Sequence, residues 1–132
     1  MRGLDTNVLV RYIVKDDHRQ AEKASAYIRG VTERGEDCFI NHIVLCELVW
    51  VLEAAYGFSK KEIAGVLEKI LATRQFEIER KDVSRQAVRD YAVGKGDLAD
   101  YLIGGVNNAH GCDRTATFDR ALKSAATFEV LE

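Results

Sequence analysis

A chain of 132 residues, 47% hydrophobic and 30% charged, has material for one compact core and is read as a single domain over residues 1–132. Its longest nearly continuous apolar stretch, Ile43 to Leu52, is interrupted by Glu47 and falls short of the ~20 residues a spanning helix needs, which excludes a membrane helix. The net charge of −2 lacks the basic footprint of most nucleic-acid binders, although acids clustered in an active site would mask one.

The opening MRGLDTNVLVRY has no apolar signal core and no small-residue cleavage pattern, so a cytoplasmic location is expected. Arg2 to Leu4 reads as a short strand, Asp5-Thr6-Asn7 as a polar turn, and the run Val8 to Val14 as a helix. From His18 to Arg34, Ala21, Ala24, Ile28 and Val31 recur at three- and four-residue intervals, the pattern of an amphipathic helix. Cys38-Phe39-Ile40 follows a Gly35-Glu36-Asp37 turn signal and predicts a second buried strand. Ile43 to Tyr56 is apolar on nearly every side, so a helix buried on several faces is expected, ended by Gly57.

Ser59-Lys60-Lys61-Glu62 has the S-x-x-E capping-box pattern, and Ile63, Val66, Leu67, Ile70 and Leu71 give the helix after it an apolar stripe. Phe76 to Glu79 predicts a strand. Ser84 to Val93 predicts a helix with Ala87, Val88 and Tyr91 inward. Leu98 to Ala109 predicts another, packing Leu102, Ile103 and Val106, with Gly104 and Gly105 permitting close backbone approach. Arg114 to Phe118 reads as a strand, Arg120 to Ala125 as a short helix and Phe128 to Leu131 as a last strand. Strands alternating with helices, without hairpin turns between strands, imply an α/β fold: a three-layer α/β/α sandwich with a mostly parallel central sheet.

In open parallel sheets, ligands sit beyond the carboxyl ends of the strands. Asp5 follows the first strand and Asp119 follows the Arg114 to Phe118 strand, so both occupy that edge. Glu47 is the only charged residue between Ile43 and Leu52; a buried carboxylate there would need neutralising, pairing or a metal, and an exposed stripe or a salt bridge is the plainer alternative. Asp97 and Asp100, three apart at a helix start, can share a face, yet Asp also favours such positions as a cap; the same holds for Asp5 and Asp119.

Together these acids suit a hard divalent cation, Mg2+ or Mn2+. The three cysteines and three histidines have no metal-site spacing: Cys38, Cys46 and Cys112 lack a CxxC pair, and His18, His42 and His110 are scattered. Such an acidic cluster can activate water for in-line displacement at a phosphate.

LDTNVLVRY at Leu4 to Tyr12, the CELVWVL stretch carrying Glu47, GDLADYLIG from Gly96 to Gly104 and TFDRAL from Thr117 to Leu122 resemble the successive motifs of PIN domains, in the order and spacing of VapC-type toxins. The resemblance covers essentially the whole chain. It implies an acidic quartet of Asp5, Glu47, Asp100 and Asp119, with Asp100 in the third position because it precedes the Tyr-Leu-Ile run, and Asp97 auxiliary. In those roles Asp5 and Asp100 bind the principal metal, Asp119 completes its shell or a second site, and Glu47 ligates or positions the attacking water. Asn7 and Thr117 match polar positions that orient the acids, and Thr6 is a weaker candidate of that kind. Gly3 departs from the bulky apolar residue that many relatives carry in the first strand.

The implied activity is metal-dependent endonucleolytic cleavage of single-stranded RNA, leaving a 5′-phosphate. The implied partners are a small VapB-like antitoxin and a second copy of the chain. The helix pair Ile43 to Tyr56 and Ser59 to Arg74, with Trp50 and Tyr56, is a candidate partner groove, with plain core packing as the alternative. RNA phosphates need cations, and Arg11, Arg85, Arg89, Lys95, Arg114 and Arg120 are the candidates, each of which also reads as an ordinary surface charge. Two other functions are alternatives: a PIN-like RNA-binding or assembly protein without turnover, and a phosphotransfer domain. The latter lacks both a D-x-D start, since position 7 is Asn, and a receiver's paired early acids.

Overall fold

Short parallel strands separated by pairs of helices build the first of two units in the computed structural model, which describes Met1–Glu132; the units are Met1–Glu79 and Arg80–Glu132. In the first, strand β1 (Arg2–Gly3) leads through helices α1 (Thr6–Val14) and α2 (His18–Glu33) to β2 (Cys38–Ile40). Helices α3 (His42–Ala54) and α4 (Lys60–Ala72) then lead to β3 (Phe76–Ile78). The strands form a parallel sheet in the order β1-β2-β3, with Arg2 opposite Cys38 and Cys38 opposite Phe76. Parallel neighbours require crossover connections, and the helix pairs supply them.

Local chemistry fixes the helix ends. Asp17 accepts a hydrogen bond from the Gln20 N–H at the start of α2, and Asn41 accepts one from Val44 at the start of α3. The capping box before α4 forms as the sequence predicts: Ser59 and Glu62 each accept the other's backbone N–H. After α3, Gly57 takes φ +66°, the left-handed region that lets the chain turn out of a helix. The stripe Ala21, Ala24, Ile28 and Val31 is buried throughout, as its spacing predicts. Leu9, Ile40, Leu45, Leu48, Leu52, Ile63 and Leu67 are almost wholly buried, each contributing about 1.5–3 kcal/mol of burial free energy.

Helix α3 corrects one expectation. Val44, Leu45, Leu48, Val49 and Leu52 are buried, but Ile43, Glu47 and Trp50 follow one another at four- and three-residue steps on a face that is exposed. Ile43 is 70% and Trp50 50% exposed. Hydropathy alone reads apolar residues as inward, whereas a helix seated on a sheet buries one side only.

The second unit holds helices α5 (Lys81–Val93) and α6 (Leu98–Ala109), then β4 (Thr115–Thr117) and β5 (Phe128–Val130). The two strands pair in parallel, Thr115 opposite Phe128 and Thr117 opposite Val130. All strand pairing in the chain is thus parallel, in a three-stranded and a two-stranded set. Ala87, Val88 and Tyr91 of α5 are buried as expected.

Helix α6 buries Leu98, Tyr101, Leu102 and Gly104, but Ile103 is half exposed and Val106 only partly covered, against expectation. Gly104 explains the phase. A Cβ there would stand 2.7 Å from both the Phe128 ring and the Thr127 hydroxyl, so the helix backbone lies against that segment and position 103 turns away. The expected Arg120 to Ala125 helix is a single 3-10 turn, Arg120–Leu122, anchored by buried Leu122. Strand β4 stops at Thr117, one residue before Phe118, which is 81% exposed. No helix is long and apolar enough to cross a membrane.

Candidate active site

Asp5 is the N-cap of α1, where its Oδ1 accepts the Thr6 N–H at 2.9 Å. Thr6 is buried, and its hydroxyl donates to Glu47 Oε1 at 2.6 Å across a sequence separation of 41 residues. One threonine therefore holds two of the expected acids, from the end of β1 and from mid-α3. Glu47 is exposed, so the premise of a buried carboxylate does not hold. Its position on the open face of α3, fixed by Thr6, is what keeps it available. Asn7, exposed in the first turn of α1, makes no hydrogen bond to either acid. The neighbour that hydrogen-bonds both acids is Thr6, the residue that carried the weaker sequence signal.

In the second unit, Asp97 and Asp100 form a reciprocal capping box at the start of α6. The Asp97 side chain accepts the N–H groups of Leu98 and Asp100, while Asp100 Oδ2 accepts the Asp97 N–H at 2.9 Å. The turn before them is pinned by Gly96, whose N–H donates to the Tyr101 hydroxyl at 3.0 Å. The two acids therefore differ: Asp97 is engaged by the cap, and Asp100 keeps Oδ1 without a protein donor.

Asp119 follows β4. Its Oδ1 accepts the Ala121 N–H at 2.9 Å, and its own N–H donates to the Thr117 hydroxyl at 3.0 Å, so Thr117 fixes the backbone from which the acid projects. Strand β4 is tied to α6 by Asn107 Nδ2, which donates to Thr115 Oγ1; nothing in the composition or spacing of the sequence marked that link.

None of Asp5, Glu47, Asp100 and Asp119 is in an ion pair, whereas Asp16, Glu36 and Asp82 are. Each of the four has one carboxylate oxygen in a hydrogen bond, local for Asp5, Asp100 and Asp119 and from the distant Thr6 for Glu47, and the other without a protein donor. Anionic oxygens held at one end and open at the other are suitable donors for a hard cation. The structure gathers no group of three or more His, Cys, Asp or Glu side chains able to hold a metal ion. Cys38 is buried, and burial pushes its thiol pKa up, which keeps it protonated and inert.

Of the candidate phosphate-binding cations, Arg85 and Arg89 lie exposed on one face of α5, and Lys95, Arg114 and Arg120 are exposed and free of ion pairs. Arg11 is different. Its Nη1 donates to the Tyr56 hydroxyl at 3.0 Å and to Asp16 at 3.2 Å, and its Nε donates to Gln20 at 2.6 Å. The Tyr56 hydroxyl in turn donates to Asp16 at 2.9 Å and, with Arg11, holds that carboxyl below its ordinary pKa. Tyr56 is therefore part of a polar clasp between α1 and the end of α3. Sequence reasoning missed this clasp because its members lie up to 45 residues apart.

Between α1 and α2, beside Asp5 and Asn7, lies a groove of about 460 Å³.

A family model described as "PIN domain" matches residues 4–127. The chain is also 28% identical over 123 residues to a protein of Aquifex aeolicus (strain VF5) named "VapC ribonuclease", an alignment covering 93% of this chain and 90% of that protein. No solved structure matches.

Proposed function

The chain belongs to the PIN-domain family, and on that premise we propose that it is a metal-dependent endoribonuclease, the toxin of a VapBC-type pair, cleaving single-stranded RNA to leave a 5′-phosphate. The observation that carries this reading is the state of the four acids: Asp5, Glu47, Asp100 and Asp119 are each held by a hydrogen-bond donor at one oxygen and unpaired with any cation. The full-length similarity to a protein named as a VapC ribonuclease supports the same reading.

In this proposal Asp5 and Asp100 bind Mg2+ or Mn2+, with Asp119 completing the shell. Such an ion, when bound, lowers the pKa of water and offsets charge developing on the phosphate. Glu47, steadied through Oε1 by Thr6, offers Oε2 to orient the attacking water and take its proton. Thr117 keeps Asp119 aimed through its backbone. Asp97 acts by setting the start of α6. Arg85, Arg89, Lys95, Arg114 and Arg120 supply the cations for RNA phosphates, a role for which Arg11 is less suited because Asp16 already neutralises it.

The exposed Ile43 and Trp50 on α3 fit the expectation of a protein partner, either a VapB-like antitoxin or a second copy of the chain. The test is cleavage of a single-stranded RNA panel with magnesium, with a chelator control and the Asp5→Asn variant. Cleavage should disappear in both, with circular dichroism of the variant unchanged. Cleavage by well-folded Asp5→Asn, or cleavage that persists in chelator, would overturn the proposal.

A further inference from the structure

The groove between α1 and α2 is built entirely within the first unit. Leu4, Val8 and Ala24 supply apolar lining, and Asp5 lines the same groove. Its volume of about 460 Å³ lies within the ~300–1,000 Å³ typical of small-ligand sites. Tyr27 also lines the groove, is 45% exposed and stacks on no other ring of the chain.

Two groups on the rim are donors. Lys23 is exposed and in no ion pair, so its ammonium is open to an anion. Gln20 Oε1 accepts from Arg11 Nε, and because a guanidinium can only donate, the oxygen must be the atom facing Arg11. The amide NH2 of Gln20 is therefore left without a protein acceptor. A flat aromatic surface, an apolar lining, an amide donor and an ammonium form the complement of one nucleotide: base face, base-edge acceptor and phosphate.

Gly3 lines the same groove, and a Cβ built on it meets nothing within 4 Å. Its φ is not in the left-handed region, so the backbone makes no demand for glycine here. The absence of a side chain at position 3 thus leaves space in the groove while the strand remains unstrained.

We propose that this groove is a nucleobase subsite for the RNA substrate, with Tyr27 as stacking platform, Gln20 and Lys23 as base-edge and phosphate donors, and Gly3 as the residue that keeps the slot open. The proposal rests on the ribonuclease reading for the identity of its ligand. It places one nucleotide of the substrate next to Asp5, so that occupancy of the slot selects which bond is presented for cleavage.

The test uses the full chain and a fluorescein-labelled decaribonucleotide of mixed sequence, titrated by anisotropy in EDTA, followed by cleavage-site mapping with magnesium. Gly3→Val, which narrows the slot, and Tyr27→Ala, an exposed substitution that leaves the strand untouched, should each weaken binding about tenfold, the order expected for losing one stacked base. Tyr27→Phe should stay within about twofold, because it keeps the ring. In cleavage, both disruptive variants should raise KM more than they lower kcat and shift the base preference at the cut site.

If wild type binds with this pattern but never cuts, the ribonuclease reading fails and the subsite stands as an RNA-binding site. If wild type cuts and all three variants match it in affinity, KM and cut-site profile, the subsite is overturned while the ribonuclease reading survives. That second result is also the one a groove serving a protein segment instead of RNA would give. Absence of any wild-type binding to the oligonucleotide at micromolar protein overturns the subsite as well.

Discussion

The two units orient their acids in different ways. In Met1–Glu79 a buried threonine hydroxyl joins Glu47 to the residue next to Asp5 across 41 positions of sequence. In Arg80–Glu132 the acids are held by backbone N–H groups no more than three positions away: the capping box of Asp97 and Asp100, and Asp119 with Ala121. Short-range caps form whenever the local turn forms. The Thr6 link forms only if α1 and α3 have already packed. Orientation of Glu47 is therefore coupled to tertiary stability, and orientation of Asp100 is coupled mainly to the first turn of α6.

The contrast can be broken most sharply in the second unit. Asp100→Asn should reduce metal-dependent cleavage to background, because the amide keeps the cap but loses the anionic oxygen. Asp97→Asn should retain most activity, since asparagine caps about as well as aspartate. Equal losses in steady-state rate would show that the cap does not distinguish the two acids.

Next in size is Thr6→Val, which removes the hydroxyl from Glu47 at nearly constant volume. A ten- to hundredfold fall in kcat is expected, roughly the effect of removing a group that orients a ligand or base, with Thr6→Ser restoring most of it. An unchanged kcat would mean that Glu47 needs no tether.

Smaller again is Asp97→Ala, which leaves the first N–H groups of α6 without their cap. It should cost about 1 kcal/mol in denaturant unfolding. A loss indistinguishable from zero would place the stability of α6 in Gly104 and its packing alone.

The smallest effect belongs to an acid far from any proposed chemistry. Arg80 hydrogen-bonds Asp82 and lowers its pKa from 3.8 to about 2. A carboxyl depressed in the folded state stabilises the fold above its unfolded pKa, and that contribution is lost as pH falls from about 4 toward 2. Asp82→Asn should slightly flatten the acid limb of a Tm-against-pH curve. The pair is exposed, so an unaltered limb would assign it no stabilising role.

How much of this was legible in the sequence follows from the same contrast. The capping box at Ser59, the helical stripe from Ala21 to Val31 and the strand Cys38–Ile40 are written in adjacent residues and appear where expected. The choice of Asp100 over Asp97 rests on resemblance; the structure shows the two acids in one reciprocal capping box. The exposure of Glu47 was misread because hydropathy registers how apolar the surrounding residues are and does not say which side of α3 meets the sheet. Asn7 ranks above Thr6 by resemblance alone, which does not register that Thr6's partner lies in another element, and the Arg11–Asp16–Tyr56 clasp is hidden from sequence by the same separation. Ile103 was placed inward because the close approach of Gly104 to Phe128, which sets the phase of α6, is a tertiary fact.

The central claim is that unpaired, pre-oriented carboxylates in this chain hold a divalent cation, and thermal melting against magnesium or manganese concentration tests it most directly. Binding to the folded state alone raises Tm in proportion to the logarithm of metal concentration above the dissociation constant. Wild type should show that rise, and Asp5→Asn and Asp100→Asn should each blunt it. A wild-type Tm that does not move at millimolar metal would contradict the account.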